Sequence, residues 1–182
     1  MNQTSDLTER TLSREEKYQG SFLSLHVDQV QLPNGRTSIR EVVEHVDGVA
    51  ILALDDRNNV LTVTQYRYVI GKTLLEIPAG KLEPGEDPVA GALRELKEET
   101  GAVPDTFLPM GVTLPSPGCL SERLYLFLAK GLHMESQQLD EDEFLNVERI
   151  PFNEMVHRVM DGEIEDSKTI AAVLKAKVLL NL

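Results

Sequence analysis

The sequence predicts an α+β fold in which helices pack on a mixed β-sheet. The segment 22–46 alternates polar and apolar side chains on either side of an Asn-Gly dipeptide, which favours a two-residue hairpin turn. Residues 49–54 are continuously apolar, as in a central strand. Residues 152–160 and 167–180 carry apolar side chains at helical spacing, so strands and helices occur together in one chain.

Further short segments complete the predicted sheet. They are apolar or alternating, and they lie at residues 60–66, 74–78, 106–114, 124–129 and 146–150. The segment 130–143 is polar and acidic, so it is predicted to be a long loop. The first 18 residues are polar and mixed in charge, and no sheet strand is assigned to them.

A loop and a capped helix are predicted in the stretch 80–102. Glycine and proline interrupt any regular pattern from residue 80 to residue 86. Asp87 can cap a helix, Pro88 suits its first position, and Gly101 is a natural C-terminal stop. A helix of about a dozen residues therefore lies between Asp87 and Gly101.

The predicted helix has an apolar face and an acidic face. At about 100° per residue, one arc is expected to be buried; it holds Val89, Ala92, Leu93, Leu96 and Thr100. Three carboxylates lie on the opposite side, with Arg94 at their edge; they are Glu95, Glu98 and Glu99.

The acidic face has two interpretations. It can be an ordinary solvated surface, because each helix-dipole or like-charge penalty is only about 0.2–1 kcal/mol. Alternatively, a divalent cation neutralises the carboxylates, and oxygen ligands without nearby Cys or His suit Mg²⁺ or Mn²⁺. Residue types alone leave both open.

The spacing of the whole stretch resembles the Nudix box. Gly80 is followed after five residues by Glu86, and Glu86 after seven residues by Arg94-Glu95-Leu96-Lys97-Glu98-Glu99-Thr100-Gly101-Ala102. Every specified position of the box is filled, with the small Ala102 at its last apolar position. The resemblance implies an α/β/α sandwich with an N-terminal β-hairpin extension. It also implies metal-dependent hydrolysis of a nucleoside diphosphate linked to another moiety.

Three elements outside the box are similar to those of the ADP-ribose pyrophosphatase subgroup. They are Gln65-Tyr66-Arg67, the run Leu75-Glu76-Ile77-Pro78-Ala79-Gly80, and Ser116-Pro117-Gly118. Pro117 lies sixteen residues beyond Gly101, which is about the spacing that marks this subgroup. The resemblance implies that ADP-ribose is hydrolysed to AMP and ribose 5-phosphate.

The same resemblance implies a role for individual residues. Arg67 and Pro117 are expected in substrate binding, and Glu76 faces either the substrate pocket or simply the polar side of a strand. The expected metal ligands are the Ala79 carbonyl and the carboxylates of Glu95, Glu98, Glu99 and Glu143. The expected catalytic residues are Glu98, Glu99, the orienting Arg94 and the general base Glu141. The register of the acidic loop is not fixed by the resemblance, which leaves open which loop glutamate, Glu141 or Glu143, is the base.

Composition limits the partners. A formal net charge of −12 argues against nucleic-acid or anionic-membrane surfaces, but not against a metal-bound phosphate substrate. The single Cys119 allows no internal disulfide and fits a reducing, cytoplasmic setting. No signal peptide or membrane-length apolar run is recognised.

Two domains and a homodimer are expected. Residues 1–47 form an N-terminal extension that is expected to dimerise, as subgroup members often do, and residues 48–182 form the hydrolase domain. Two other functions stay open. The same Mg²⁺-dependent or Mn²⁺-dependent chemistry can act on a nucleotide sugar or dinucleotide, or the scaffold can serve as a non-catalytic nucleotide sensor. The intact carboxylates speak against a sensor.

Overall fold

The computed structural model describes residues 6–139 and 143–181. The chain divides into two compact units. The first comprises the residues up to Val46 together with Ser116–Glu122, and the second comprises Asp47–Pro115 and Arg123 onward. Among the described residues, no helix combines the length and the apolar character needed to cross a bilayer.

The first unit is built on a three-stranded antiparallel sheet. Its strands are β1 (Arg10–Gln19), β2 (Leu23–Gln31) and β3 (Thr37–His45), in the spatial order β1-β2-β3. The predicted hairpin turn between β2 and β3 is confirmed, because Gly35 has a φ of 82° and donates its N–H to the Leu32 carbonyl at 2.9 Å. The sequence did not reveal β1, whose ten residues are all exposed. Backbone pairing with β2, together with the ion pair of Arg14 with Asp28, places this mostly polar segment in the sheet.

The second unit is built on a mixed seven-stranded sheet. Its strands are β4 (Gly48–Leu54), β5 (Asn59–Arg67), β6 (Lys72–Glu76), β7 (Ala79–Lys81), β8 (Ala102–Thr113), β9 (Leu124–Met134) and β10 (Leu145–Pro151). The main order is β10-β5-β4-β9-β8, with β6 beside β5 and β7 beside β4. Strands β4 and β9 are parallel, whereas the other pairs are antiparallel.

Helices cover both faces of this second sheet. They are α1 (Pro88–Thr100), α2 (Phe152–Met160) and α3 (Ser167–Leu180). On one face, Ala92 and Leu96 of α1 pack with the odd-numbered apolar residues of β4, such as Ile51. On the other face, α2 and α3 pack with the even-numbered residues of β4, such as Leu52. This arrangement confirms the expected α/β/α sandwich and explains why β4 reads as a continuous apolar run.

The segment 130–143 differs from its prediction as one long loop. Strand β9 continues to Met134, which pairs with Ala102 at the start of β8. The mostly polar sequence of this extension did not predict a strand. The outer end of an antiparallel pair is held by backbone hydrogen bonds and does not require apolar side chains. The loop of the structure therefore starts only after Met134.

The ends of α1 agree with the sequence, but its buried face agrees only in part: Ala92, Leu96 and Thr100 are buried, whereas Leu93 is 36% exposed. Asp87 accepts hydrogen bonds from the amides of Val89 and Ala90, and Gly101 closes the helix with a φ of 73°. Val89 is 44% exposed, although it was expected to be buried, whereas Glu95 and Glu99 are buried. The prediction was wrong because it ranked side chains by polarity and could not include the strand that covers the two glutamates.

Candidate active site

Arg94 gathers the carboxylates of the loop and of α1. Its Nε and Nη2 donate to the two oxygens of Glu86 at 2.9 and 3.0 Å, and its Nη1 donates to Glu95 and Glu98 at 2.9 Å each. These contacts, with Glu86 the strongest, raise the pKa of Arg94 above its ordinary value. Arg94 therefore contacts three acidic side chains at once, which is the arrangement that an orienting residue needs.

Glu95 lies against the backbone of β7. Its carboxylate occupies the space beside Gly80, where a Cβ atom would overlap it. Burial raises the pKa of Glu95; the charge and hydrogen bond of Arg94 oppose this, and the charges of Glu98 and Glu143 add to it. Gly80 is thus needed for space, because only a residue without a side chain leaves room for this carboxylate.

Glu99 is the most deeply buried of the three helix carboxylates. It is 2% exposed, and its Oε2 accepts a hydrogen bond from the Ala79 N–H at 2.9 Å. Burial raises its pKa to about 8 in spite of that hydrogen bond, and the negative charges of Glu95 and Glu143 contribute to the rise. The fold therefore holds in place a carboxylate whose ionised form it stabilises poorly.

Glu98 and Glu143 complete the acidic group. The Glu98 side chain is 36% exposed and reaches Arg94 from the outer side of α1. Glu143 precedes β10, and its charge raises the pKa of both Glu95 and Glu99. The carboxylates of Glu95, Glu98, Glu99 and Glu143 thus interact electrostatically in one region of the second unit.

The donors of this region fit a divalent cation. Carboxylate oxygens suit hard ions, and a cation would add positive charge beside Glu99 and beside Glu95, whose partner Arg94 is shared with other carboxylates. Among residues 6–139 and 143–181, however, no three His, Cys, Asp or Glu side chains surround a common position. The guanidinium of Arg94 takes one oxygen each of Glu95 and Glu98, so these side chains must share or redirect an oxygen when an ion binds.

A second charged group lies at the ends of β5 and β6. Arg67 donates from Nε and Nη2 to the two oxygens of Glu76 at 2.7 and 2.6 Å. Glu76 is 1% exposed, whereas the Arg67 side chain is 39% exposed. Burial would raise the pKa of Glu76, but Arg67 and Lys168 outweigh it and hold the pKa below its ordinary value.

Lys168 of α3 is the residue of this group that sequence reasoning missed. Its Nζ contacts Glu76 Oε2 at 2.5 Å and Asp166 Oδ1 at 2.9 Å. The sequence predicts only a helix that starts at Ser167, with no role for Lys168. A lysine beside a capping aspartate carries no sequence signal for a strand residue 92 positions earlier.

The remaining predicted residues are distributed as follows. Ala79 lies in β7, where its N–H holds Glu99. Pro117 belongs to the first unit, in an exposed segment whose Cys119 carbonyl accepts the Val43 N–H at 2.7 Å. The expected base, Glu141, lies outside the described residues.

The segment 135–138 is attached to the C-terminal end of α1. The Gln138 N–H donates to the Glu98 carbonyl at 3.0 Å, and the Gln137 side chain donates to the Glu99 carbonyl at 2.5 Å. The Glu135 N–H also donates to the Gly101 carbonyl at 2.7 Å. These bonds satisfy carbonyls that a helix end leaves free, and they fix the start of the acidic loop.

Family comparison identifies the class of protein. The NUDIX domain pattern matches residues 44–173, and the pattern of a nucleoside diphosphate sugar hydrolase N-terminal domain matches residues 9–43. The chain belongs to the Nudix family, and it is a Nudix hydrolase. Nudix hydrolases generally use divalent metal ions, which agrees with the donor set around α1.

Individual proteins are similar over nearly the whole chain. The "Methanol dehydrogenase activator" of Bacillus methanolicus is 42% identical over 91% of this chain and 90% of its own. The "ADP-ribose pyrophosphatase" of Bacillus subtilis (strain 168) is 40% identical over 92% of this chain and 91% of its own. A crystal structure titled "ADP compounds hydrolase" has a TM-score of 0.85 at 22% identity, covers 98% of this chain and 97% of its own, and confirms the fold.

Proposed function

We propose that this protein hydrolyses ADP-ribose to AMP and ribose 5-phosphate with Mg²⁺. The observation that carries the proposal is the pairing of two buried carboxylates, Glu95 and Glu99, against the backbone of Ala79 and Gly80. A nearby arginine, Arg67, presents a partly exposed guanidinium. Similarity to an ADP-ribose pyrophosphatase supports this choice of substrate.

Each acidic residue has a role in the proposal. The Ala79 carbonyl and the carboxylates of Glu95, Glu98, Glu99 and Glu143 would hold the metal ions. When bound, Mg²⁺ neutralises phosphate charge and lowers the pKa of an attacking water. Arg94 keeps Glu95 and Glu98 oriented through its hydrogen bonds. Glu141 serves as the general base, and Mn²⁺ is the alternative metal.

Arg67 supplies the contact to the diphosphate. Two of its nitrogens face Glu76, and among the described residues Nη1 has no hydrogen-bond partner. A guanidinium held on one side and open on the other suits a phosphate oxygen. Glu76, buried and fully engaged, holds this arginine; Pro117 is retained as a substrate residue on the strength of its spacing.

A substrate panel tests the proposal. Purified protein is incubated with Mg²⁺ and ADP-ribose, GDP-mannose, NAD, FAD or diadenosine polyphosphates, and the products are separated by ion-exchange chromatography. We expect kcat/KM to be highest for ADP-ribose, with AMP and ribose 5-phosphate as products. A preference of about tenfold or more for another compound would reject ADP-ribose as the substrate.

A nucleotide sugar is the second candidate substrate. The match of residues 9–43 to the N-terminal domain of nucleoside diphosphate sugar hydrolases favours it. The chemistry is the same, so the panel above separates the two candidates.

A regulatory function is tested separately. The Bacillus methanolicus relative is named an activator, and its identity to this chain is about the same as that of the pyrophosphatase. A protein that turns over no member of the panel with Mg²⁺ or Mn²⁺, yet raises the rate of a methanol dehydrogenase, would replace the hydrolase proposal. It would also revive the nucleotide-sensing alternative.

The N-terminal extension, residues 1–47, is proposed to dimerise and to leave residues 48–182 as the hydrolase domain. Strand β1 is exposed along its whole length and offers surface for a second copy. Light scattering at micromolar concentration is expected to give twice the mass of the chain, and a monomer would contradict this. A cytoplasmic location also belongs to the proposal, supported by the lone Cys119.

A further inference from the structure

Lys168 is a buried cation that the proposed mechanism does not use. It is 8% exposed, and its ammonium group contacts Glu76 and Asp166. Taking an ammonium group out of water costs several kcal/mol, and such a pair is often no better for stability than an apolar side chain of similar size. A contribution to stability therefore does not by itself explain why Lys168 is buried here.

The junction around Lys168 is held together without it. Asp166 caps α3 through its Oδ2, which accepts the Thr169 N–H at 3.0 Å and the Thr169 hydroxyl at 2.5 Å. The Thr169 oxygen in turn accepts the Ile77 N–H at 3.0 Å, which joins α3 to the segment between β6 and β7. These bonds do not involve the Lys168 side chain, which contacts Asp166 through its other oxygen, Oδ1, and also contacts Glu76.

Glu76 divides its negative charge between two cations. Its Oε1 accepts from Arg67 Nε, and its Oε2 accepts from both Arg67 Nη2 and Lys168. Asp166 also contacts Lys168, so Arg67, Lys168, Glu76 and Asp166 together carry no net charge, and removing the Lys168 ammonium would leave a net charge of −1 around the Arg67 guanidinium. Lys168 also fixes the second oxygen of Glu76, which sets the plane of the guanidinium.

We propose that Lys168 is a positioning residue for Arg67, holding Glu76 so that the guanidinium stays oriented and attractive to the substrate diphosphate. This inference rests on the proposed function, in which Arg67 contacts that diphosphate. Lys168 then acts on the substrate only through Arg67. Its effect must therefore disappear when Arg67 is absent.

A double-mutant cycle tests that dependence. The variants are Lys168→Met, Arg67→Met and the double variant, with Lys175→Met as the control because it removes an exposed lysine from the same helix. We expect Lys168→Met to raise KM by about tenfold and to change kcat by less than about threefold. The double variant should be no worse than Arg67→Met, and Lys168→Arg should recover most of the loss.

A second readout does not need turnover. The dissociation constant of the α,β-methylene analogue of ADP-ribose is measured by calorimetry with Mg²⁺ for the same proteins, and it should follow the pattern of KM. Additive effects in the double variant, or an unchanged KM in Lys168→Met, would overturn the inference while leaving the hydrolase proposal intact. Failure of both Lys168→Met and Lys168→Gln to fold would also overturn it.

The two proposals can fail separately. If the wild type prefers another compound of the panel, the ADP-ribose assignment fails, and the cycle is run with the preferred compound. If the wild type neither turns over any compound nor binds the analogue, both proposals fail. Coupling between Lys168 and Arg67 on any diphosphate substrate supports the inference.

Discussion

The Glu99 carboxylate accepts the Ala79 N–H at 2.9 Å, so the buried end of α1 is fastened to the strand that starts the loop. Glu95 lies against the next residue, Gly80. One side of the helix therefore carries two carboxylates into the interior, and within the described part of the chain no cationic side chain pairs directly with Glu99. A protein tolerates this arrangement when a bound cation completes it.

Replacing Glu99 by Gln should abolish most turnover. The amide keeps the shape of the side chain but lacks the charge that a cation needs, and metal stabilisation of the transition state is worth several kcal/mol. We expect kcat to fall by at least about 100-fold, while the circular dichroism spectrum stays native. Glu163→Gln, at an exposed position, is the control. A near-normal kcat in Glu99→Gln would count against the metal assignment.

The stability of the metal-free protein should fall as pH rises. The pKa of Glu99 is about 8 in the folded chain and 4.5 ordinarily, so folding favours the protonated form. The resulting loss in the free energy of unfolding is absent below pH 4.5, grows between pH 4.5 and pH 8, and is constant above pH 8. Its slope is at most about 1.4 kcal/mol per pH unit. The charges of Glu95 and Glu143 also raise the pKa of Glu99, whereas the charge of Lys168 lowers it.

Urea unfolding in EDTA between pH 5 and 9 measures this slope. In Glu99→Gln it should be shallower than in the wild type, because the titrating group is gone. Added Mg²⁺ should raise Tm more at pH 8.5 than at pH 5.5, since the ion competes with the proton. Parallel curves for wild type and Glu99→Gln would show that Glu99 titrates normally.

Arg94→Lys should lower turnover by about 10-fold to 100-fold. One ammonium cannot reproduce the fork that contacts Glu86, Glu95 and Glu98 together. Arg158→Lys is the matched control, because Arg158 forms an exposed pair with Glu154 one helical turn away. Steady-state kinetics at saturating Mg²⁺ measure the effect. Equal kcat values for Arg94→Lys and Arg158→Lys would contradict an orienting role for Arg94.

Gly80→Ala should displace the carboxylate of Glu95. The new Cβ would occupy the space of that carboxylate, while the φ of Gly80 lies outside the left-handed region, so backbone strain is not the cause. We expect a loss of turnover of about 100-fold or more, together with weaker binding of Mn²⁺ in a calorimetric titration. Unaltered Mn²⁺ affinity would mean that Glu95 can leave this position without consequence.

Sequence patterns foretold the parts of the fold that depend on local chemistry. Asp87 and Gly101 mark the ends of α1 because capping and left-handed turns use particular residues. The Asn-Gly turn was visible for the same reason, whereas the bounds of α2 and α3 were predicted from apolar side chains at helical spacing. Helical periodicity indicated that Glu95, Glu98 and Glu99 share a helix side with Arg94 at its edge, and Arg94 contacts Glu95 and Glu98 in the structure.

Features that depend on distant partners were not visible. The burial of Glu95 and Glu99 comes from β7, and a helical wheel cannot include a strand. Strand β1 is mostly polar and is held by its pairing with β2. Lys168 meets Glu76 only because α3 packs beside the end of β6, and no short-range pattern records that meeting.

The hydrogen bonds from Gln137 and Gln138 to the last turn of α1 have a mechanical consequence. The acidic loop therefore starts beside the helix that carries Glu98 and Glu99. The length of chain available between Gln138 and Glu143 limits how far Glu143 can lie from that helix end. Removing one residue between Gln138 and Glu143 would shorten that tether by about 3.5 Å, which exceeds a metal–oxygen bond. The number of residues between Gln138 and Glu143 therefore limits how near Glu143 can lie to Glu98 and Glu99.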